Sequence, residues 1–271
     1  MDWSLKRLWL VFCLAVALVL VMVCPGCKNR SRRAVSVVGS TSIQPFAELL
    51  AGEFHKKAPD IEIDVQGGGS TAGIQALATG IADIGTCSRS LSTEEAALYK
   101  GIVIARDGLA VVVHQSNPIN GLTRQQIQDI FSGKITNWRD VGGPDMVVRP
   151  VSREEGSGTR EAFTKLVMDN VLVASSALTQ ESNGAVKELV RGDPGAIGYM
   201  SLGLSGGIKC LSIDGVVPSA STVASGQYPL VRPFLFVVKG APRPEAQRFI
   251  DFVLSSQGQR LLESEGLVKV Q

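Results

Sequence analysis

Arg153-Glu-Glu-Gly-Ser-Gly-Thr-Arg160 is the stretch around which the fold prediction is built. Valine-rich residues, Val147–Val151, precede it, and the helix-like run Glu161–Met168 follows it. The pattern predicts a strand, a glycine-rich turn and a helix whose first turn is capped by Ser157 or Thr159. The free N–H groups and the positive dipole end of such a helix form an anion site. Helix capping alone is the competing interpretation, because Ser, Thr and Gly are favoured at caps in any case.

Strands and helices alternate through the first hundred residues. Strands are predicted at Val35–Val38, Ile61–Val65 and Ile81–Ile84, and helices at Pro45–Lys57 and Ala72–Thr79. A further helix begins at the capping signature Ser92-Thr-Glu-Glu95. This rhythm predicts an α/β fold with a largely parallel sheet. In such sheets ligands bind beyond the carboxyl ends of the strands.

Polar turns follow these three strands. They are Gly39-Ser-Thr-Ser42, Gly68-Gly-Ser-Thr71 and Cys87-Ser-Arg89. With the turn at 156–159 they supply on the order of a dozen donors, which a small oxyanion with four oxygens can use. Arg153 would add charge-assisted hydrogen bonds from the planar, bidentate guanidinium. The candidate anion-binding residues are Ser40, Thr41, Ser42, Ser70, Thr71, Ser88, Arg89, Arg153, Ser157, Gly158 and Thr159.

The second half of the chain predicts a second lobe and a return to the first. Further strands are expected at Leu109–His114, Ala196–Met200 and Leu230–Val238, and helices at Thr123–Phe131, Asn183–Val190, Glu245–Gly258 and Gln259–Glu265. Pro233 predicts that its strand lies at an edge or bends. The terminal helices have nothing of their own to cover, so we expect them to pack on the first lobe. The predicted division is 34–113 with 231–271 for lobe 1 and 114–230 for lobe 2, with a ligand cleft between them.

The amino-terminal segment has the layout of a secretory signal. Lys6 and Arg7 precede the apolar run Leu8–Val23, which ends at Cys24-Pro-Gly-Cys27. A glycine before a cysteine predicts a lipoprotein signal peptide at 1–26, a lipidated Cys27 and a tether at 27–33, although Cys24 occupies a position where leucine is usual. An uncleaved anchor helix from Leu8 to Cys27 is the alternative. Both interpretations place the body on the periplasmic or cell-surface side of a membrane.

Composition excludes several functional classes. The formal net charge is +2 and there is no basic tract, so nucleic acid is not an expected partner. The two histidines and the absence of Cys/His ligand spacing predict no metal site. Neither a cofactor nor a catalytic residue is predicted, and the Gly-x4-Gly-Lys-Ser/Thr nucleotide loop is absent. Cys87 and Cys210 are expected to be buried thiols, with a disulfide between them as the alternative.

Several motifs resemble those of the phosphate-binding proteins of phosphate ABC importers. The matching segments are Gly39–Ser42, Gly67–Thr71, Ala82–Gly85 with Ser88-Arg89, Asn117-Pro118, Ile130–Trp138, Arg153–Arg160, Gly195–Tyr199 and Phe252–Gln259. The resemblance runs from about Val35 to Val270, and Phe131-Ser-Gly-Lys-Ile-Thr-Asn-Trp138 is its most specific part. It implies a type II periplasmic-binding-protein fold, one phosphate in the interlobe cleft, and delivery of that phosphate to a membrane permease by a monomeric protein.

The resemblance also implies roles for particular residues. It places Thr41 and Ser42 at the first phosphate contact, Ser70 at the second, and Arg153, Ser157, Gly158 and Thr159 at the third. Glu155 falls where relatives carry an acid that pairs with this arginine. Ser88 occupies the position of an aspartate that accepts the proton of monohydrogen phosphate. A serine oxygen, Asp83 or a backbone carbonyl could accept it instead.

Three other functions remain as alternatives. The missing aspartate motivates a binding protein for another oxyanion, such as sulfate, molybdate or an organic phosphate. A phosphate sensor or surface protein could use the same fold. A phosphatase with Ser70 or Ser157 as nucleophile would need a base or a metal that the sequence does not supply.

Overall fold

The computed structural model describes residues 34–169 and 171–270. The predicted signal peptide, the tether up to residue 33 and the lipidation site Cys27 lie outside the described residues. In the first part of the chain the elements are β1 Ala34–Gly39, α1 Gln44–Lys57, β2 Glu62–Gly67, α2 Ser70–Thr79, β3 Ile84–Cys87, α3 Thr93–Leu98 and β4 Lys100–Val113. Their order agrees with the predicted alternation of strands and helices.

The second part of the chain contains shorter elements. These are β5 Gly121–Leu122, α4 Arg124–Phe131, a 3-10 turn at Trp138–Val141, β6 Arg149–Arg153, α5 Gly158–Phe163, β7 Leu178–Gln180, α6 Asn183–Gly192 and β8 Ala196–Ser201. A 3-10 turn at Leu202–Leu204, β9 Lys209–Cys210, β10 Ser212–Ile213, α7 Ala220–Ala224, β11 Val231–Val238, α8 Pro244–Leu254 and α9 Ser256–Ser264 complete it. The turn Thr164–Met168 continues α5 with π-helical geometry. Within the described residues, no helix is both long enough and apolar enough to cross a bilayer.

One sheet runs through the molecule in the order β2-β1-β3-β11-β4-β8-β6-β7, and β9 pairs with β4. Pairing is parallel between β1 and β3 and between β6 and its neighbours β7 and β8. The centre is antiparallel, because β11 runs against both β3 and β4, and β4 runs against β8. The prediction of a largely parallel sheet is therefore wrong at the centre. There β4 carries the chain out of the first half and β11 brings it back in the opposite direction.

Several strands begin at other residues than predicted. The strand β3 begins at Ile84 and not at Ile81, because the amides of Ile81 and Ala82 both bond to the Ala76 carbonyl at the end of α2. The strand β4 begins at Lys100, well before the predicted Leu109, because its first residues already pair with β11: Lys100 lies opposite Val238 and Gly101 opposite Val237. Pro233 lies opposite Arg106 of β4, next to a register shift between Phe234 and Leu235.

The hydrophobic core is divided into separate clusters. One cluster joins Val35 and Phe46 to Phe249 and Leu262, so α8 and α9 pack against α1 and the first strands. Another joins Leu109 to Trp138, Phe163 and Tyr199, with the rings of the last two stacked at 3.9 Å between centroids. The residues at which the two lobes divide stay a prediction. Because Leu109 packs in the second cluster, we propose that the first crossing lies nearer to Asp107 than to His114.

Candidate anion-binding site

The turn after β1 and the turn before α5 meet in space. Ser42 Oγ lies 2.8 Å from Thr159 Oγ1, across 117 residues of sequence. Arg153 Nη2 donates a hydrogen bond to Thr41 Oγ1 at 2.9 Å. The predicted convergence of these two turns is therefore what the structure shows.

The turns after β2 and β3 contact each other and the start of α5. Ser88 N donates to Ser70 Oγ at 3.1 Å, which joins the turns after β2 and β3. A Cβ added to Gly158 would lie only 2.1 Å from Ser70 Oγ and 2.8 Å from Ser88 Oγ. The start of α5 thus approaches both serines as closely as backbone can. The four turns predicted from the sequence are therefore linked to one another through the start of α5.

Glycines permit this approach at two points. Gly69 has φ of 95°, and a Cβ there would lie 2.8 Å from the carbonyl oxygen of Gly156. A side chain at Gly69 would therefore meet backbone, which cannot rotate away, as well as an unfavourable backbone conformation. The amide of Thr71 donates to that same carbonyl at 3.1 Å. At Gly158 the constraint is space alone.

Arg153 is buried, and only part of its guanidinium is occupied. Its Nε and Nη2 donate to the Glu154 carboxylate at 2.9 Å, and they also reach the carbonyls of Gln180 and Glu181. Its Nη1 is buried without a hydrogen-bond partner among the described residues. An unpaired buried donor on a charged group costs free energy, on the order of 1–3 kcal/mol or more. The acid beside Arg153 is Glu154, so the placement of Glu155 in that role is wrong: Glu155 is exposed.

Ser88 presents a second buried polar group of this kind. Its side chain is buried, and its Oγ has no hydrogen-bond partner among the described residues. Its backbone is fully used, since the amide bonds to Ser70 Oγ and the carbonyl accepts from Arg232. Most buried polar groups in proteins have a partner, so an orphan beside three converging turns indicates a place for a ligand.

The helix α5 contributes its first turn. Ser157 is its N-cap, with Oγ accepting from the Arg160 amide at 3.3 Å, and Ser157, Gly158 and Thr159 are all buried. The first N–H groups of a helix have no acceptor inside the helix, so those of Gly158 and Thr159 are available to an anion. Arg160 Nη1 donates to the Arg153 carbonyl at 3.1 Å, so Arg160 braces the end of β6.

The side chains of three predicted site residues contact other protein groups. Ser40 Oγ accepts from the Ser42 amide, which shapes the first turn. Thr71 Oγ1 lies 3.4 Å from Glu161 Oε1. The Arg89 guanidinium is held by Glu95 through two nitrogens at 2.6 and 2.9 Å, and its Nε lies 2.5 Å from Glu161 Oε2. We therefore assign these three residues to the walls of the site.

Arg232 is the site residue that sequence reasoning missed. It is buried on β11 and pairs with Asp107 of β4, and its guanidinium also contacts Ser42, Thr159 and the Ser88 carbonyl. Burial raises the pKa of Asp107 and lowers that of Arg232, because desolvation disfavours both charges, and their mutual contact opposes both effects. An arginine inside the apolar run Val231–Val238 was the available signal, since buried charges need partners.

Asp83 does not face the anion site. Both of its oxygens receive bonds of 2.7 Å from Arg243, and the Ser36 amide donates to Oδ2 at 3.0 Å. Burial raises the pKa of Asp83, but the hydrogen bonds from Arg243 and Ser36 outweigh burial and leave the pKa below its ordinary value of 3.8. The carboxylate anchors the start of β3, and it is unsuited to accept a proton from a ligand.

The variant Asp83→Asn should therefore lower stability without changing ligand affinity. A carboxylate with a depressed pKa stabilises the folded state above 3.8, and this contribution is lost as the pH falls through its folded pKa. We expect a loss of about 1 kcal/mol in the free energy of unfolding at neutral pH, and a smaller loss at an acidic pH below 3.8. Urea unfolding of both proteins at the two pH values measures this. A difference that persists undiminished at the lower pH would contradict the assignment.

The most specific motif of the resemblance lies away from the site. Trp138 is fully buried, and its Nε1 donates to the Gly195 carbonyl at 3.0 Å. Asn137 caps the 3-10 turn by accepting from the Arg139 amide. Lys134 is exposed beside Asp129. This stretch therefore builds the second lobe.

Neither histidine is hydrogen-bonded to Ser70 or Ser157 among the described residues. His114 Nδ1 lies 2.7 Å from Ser116 Oγ, and His55 is exposed. Cys87 and Cys210 are free thiols, with Cys87 buried and Cys210 partly so, which confirms the preference for thiols over a disulfide. Among residues 34–169 and 171–270, no three His, Cys, Asp or Glu side chains are grouped to hold a metal.

Comparison with known proteins agrees with this geometry. A family model for the PBP superfamily domain matches residues 28–257. The phosphate-binding protein PstS of Bacillus subtilis is 31% identical over 90% of this chain and 83% of its own length. A solved structure from Clostridium perfringens, described as a phosphate ABC transporter substrate-binding protein with bound phosphate, is 40% identical, with a TM-score of 0.85 over 88% of this chain and 100% of that one. A phosphate transport receptor from Vibrio cholerae is 36% identical, with a TM-score of 0.74 over 87% of this chain and 100% of that one. The predicted resemblance and two-lobed α/β fold are confirmed: the chain belongs to the PBP superfamily and, within it, to the substrate-binding proteins of phosphate ABC importers.

Proposed function

We propose that this chain binds inorganic phosphate between its two lobes and delivers it to an ABC permease. The observation that carries the proposal is that two buried groups, Arg153 Nη1 and Ser88 Oγ, have no hydrogen-bond partner among the described residues. They belong to segments that meet around Gly158, and a small oxyanion there would give each of them a hydrogen-bond partner. Relatives with the same fold and 31–40% identity are named for phosphate, which favours phosphate over sulfate, molybdate or an organic phosphate.

The proposed phosphate ligands are a subset of the predicted residues. They are Thr41, Ser70, Ser88, Arg153, Ser157, Gly158 and Thr159. Thr41 Oγ1 accepts from Arg153, so its own proton remains available to an anion. Ser40, Thr71 and Arg89 shape the turns, and Ser42 acts on Thr159. Neutral hydroxyls and amides supply most of the contacts, and Arg153 supplies the positive charge.

We infer that this arrangement is the closed form of the protein. The ion pair between Arg89 and Glu161, and the contacts of Thr41 with Arg153 and of Ser42 with Thr159, all join the two lobes. We propose that phosphate stabilises this closed form, because only in the closed form can it contact both lobes at once. A permease can then recognise the closed protein as the loaded one.

No catalytic role is proposed. Ser70 Oγ accepts from the Ser88 amide and Ser157 Oγ caps α5. Within the described residues, neither hydroxyl is bonded to a carboxylate or an imidazole that could activate it. The relatives named above are binding proteins and transport receptors, which supports binding and not turnover.

The location outside the cytoplasm follows from the sequence. The signal layout before Cys27 supports a lipid-anchored protein on the periplasmic or cell-surface side, where a permease partner would meet it. Intact-mass measurement on membrane-extracted protein tests the anchor, since a chain that still begins at Met1 would contradict it.

Titration of the full chain with phosphate tests the proposed function. The protein is stripped by partial unfolding and refolding, and phosphate is then titrated calorimetrically with sulfate as the control. We expect saturable heat with one phosphate per chain and little heat with sulfate. Binding of sulfate alone, or of neither anion, would contradict the proposal.

A further inference from the structure

We propose that Arg232 is a positioning residue that fixes the direction of a hydrogen-bond chain, so that the Thr159 hydroxyl always donates to the bound anion. This inference rests on the proposed phosphate site. It concerns a residue outside the predicted set, on a strand that the polar turns do not include. The specificity that follows is for a fully ionised oxygen at the Thr159 position.

Every donor of the Arg232 guanidinium is occupied. Nε donates to Asp107 Oδ2 at 3.0 Å, and Nη2 lies 2.9 Å from the same oxygen and 3.3 Å from Ser42 Oγ. Nη1 donates to the Ser88 carbonyl at 3.3 Å and to Thr159 Oγ1 at 2.7 Å. An arginine has five N–H donors, and these contacts account for all five. Arg232 therefore acts on an anion through its neighbours, whereas Arg153 keeps one nitrogen for direct contact.

Asp107 holds Arg232 in this orientation. Its side chain is fully buried, and its second oxygen, Oδ1, accepts from Ser201 Oγ at 2.9 Å. Each carboxylate oxygen thus has a defined partner on a different strand. The guanidinium plane cannot rotate without breaking these bonds, so the directions in which Nη1 and Nη2 donate are set by the fold.

The Ser42 oxygen receives two donors. One is Arg232 Nη2, and the other is Asn183 Nδ2 at 2.9 Å. The orientation of the Asn183 amide is fixed because its Oδ1 accepts from the Ser201 backbone amide, which can only donate. A hydroxyl can accept two hydrogen bonds and donate one. With both acceptor positions used, Ser42 must donate its own proton along the 2.8 Å contact to Thr159 Oγ1.

The Thr159 hydroxyl can then form only one more hydrogen bond, as a donor. Its oxygen accepts from Arg232 Nη1 and from Ser42, so its proton must point away from both. Thr159 is buried at the start of α5, where the other turns converge. An anion oxygen at that position must accept, so an ionised phosphate oxygen is favoured there over a protonated one, because the ionised oxygen is the stronger acceptor. The proton of monohydrogen phosphate is directed to Ser88 Oγ, which has no partner in the described structure and can accept.

A double-mutant cycle on the full chain tests this chain of hydrogen bonds. Thr159→Val keeps the shape of the side chain and removes the terminal donor, and we expect phosphate affinity to fall about tenfold to a hundredfold. Arg232→Gln should lower affinity about tenfold in the wild-type background, and by less than about threefold in the Thr159→Val background. Thr159→Ser should restore both the affinity and the sensitivity to Arg232→Gln. Independent effects of the two substitutions would overturn the proposal.

Arg232→Gln leaves Asp107 without its charged partner and could fail to fold, so two further variants that keep Asp107 paired are tested as well. Arg232→Lys keeps the positive charge but cannot reach Ser42 and Thr159 together, and the same coupling is expected if Arg232→Gln does not fold. Ser42→Ala should likewise weaken binding in the wild type and have little further effect in the Thr159→Val background. A full effect of Ser42→Ala in that background would mean that Ser42 binds the anion directly, against the proposal. Wild-type protein that fails to bind phosphate would instead refute the proposed function itself.

Discussion

Replacing Arg153 with methionine is expected to lower phosphate affinity about a hundredfold to a thousandfold. The guanidinium is buried, and its Nη1 has no partner among the described residues, so it is the one permanent charge that we propose meets the anion directly. Truncating one partner of a buried, hydrogen-bonded charge pair costs about 2–5 kcal/mol, and each 1.4 kcal/mol is a factor of ten in affinity. The contact between Arg153 and Thr41 is lost as well, so closure of the lobes is weakened along with binding.

A matched control lies on the same strand. Arg149 is also in β6, but its side chain is 45% exposed and pairs with Asp193 at the surface. Arg149→Met removes the same charge from the chain and should leave phosphate affinity within about twofold of wild type. Calorimetric titration of the three proteins measures the difference. Equal losses in the two variants would show that net charge, and not the buried guanidinium, governs binding.

The variant Gly158→Ala is expected to abolish tight binding by keeping the lobes apart. Its new Cβ would lie 2.1 Å from Ser70 Oγ and 2.9 Å from Ser70 Cβ, which is closer than real Cβ contacts allow. Rotation of the serine hydroxyl cannot relieve the second clash, so the start of α5 must move away from the turn after β2. Contacts from one side of the site would then be lost, and we expect affinity to fall on the order of a hundredfold or more.

The fold itself should survive Gly158→Ala, because the open form does not contain this clash. Gly52→Ala is the matched control: Gly52 lies in α1, where an added Cβ meets no atom of the described residues within 4 Å. That control should bind normally and gain up to about 1 kcal/mol of stability, since alanine favours helix. Small-angle scattering with and without phosphate, beside thermal unfolding, separates the outcomes. A Gly158→Ala protein that compacts on phosphate addition would contradict the steric argument.

The sequence was sufficient to predict features that are formed by residues close together in the chain. The capping box of Ser92 with Glu95 and the cap at Thr123 are found as predicted, because they depend on residues three positions apart. The four polar turns could also be predicted to converge, since each follows a strand of one sheet. Their serines and threonines are the residues that the structure brings together.

The sequence alone did not show which charged side chains pair with one another. Glu154 and Glu155 are neighbours in sequence, and only the direction of the strand end determines which one faces Arg153. The sequence predicts Arg89 as a ligand residue, but in the structure its guanidinium lies between Glu95 and Glu161 and pairs with both. Ion pairs form between whichever charges the packed backbone places within reach, and no periodicity encodes that distance.

The sequence by itself determined the α/β alternation, the glycine-rich turns and their hydroxyl chemistry, because backbone preference and side-chain chemistry are local properties. Only the tertiary structure decided that the centre of the sheet is antiparallel and that Arg232 joins the site. Arg232 is separated by 125 residues from Asp107, by 190 from Ser42 and by 73 from Thr159. Its role exists only because β4 and β11 cross side by side between the lobes, where a buried charge must find every one of its partners in three dimensions.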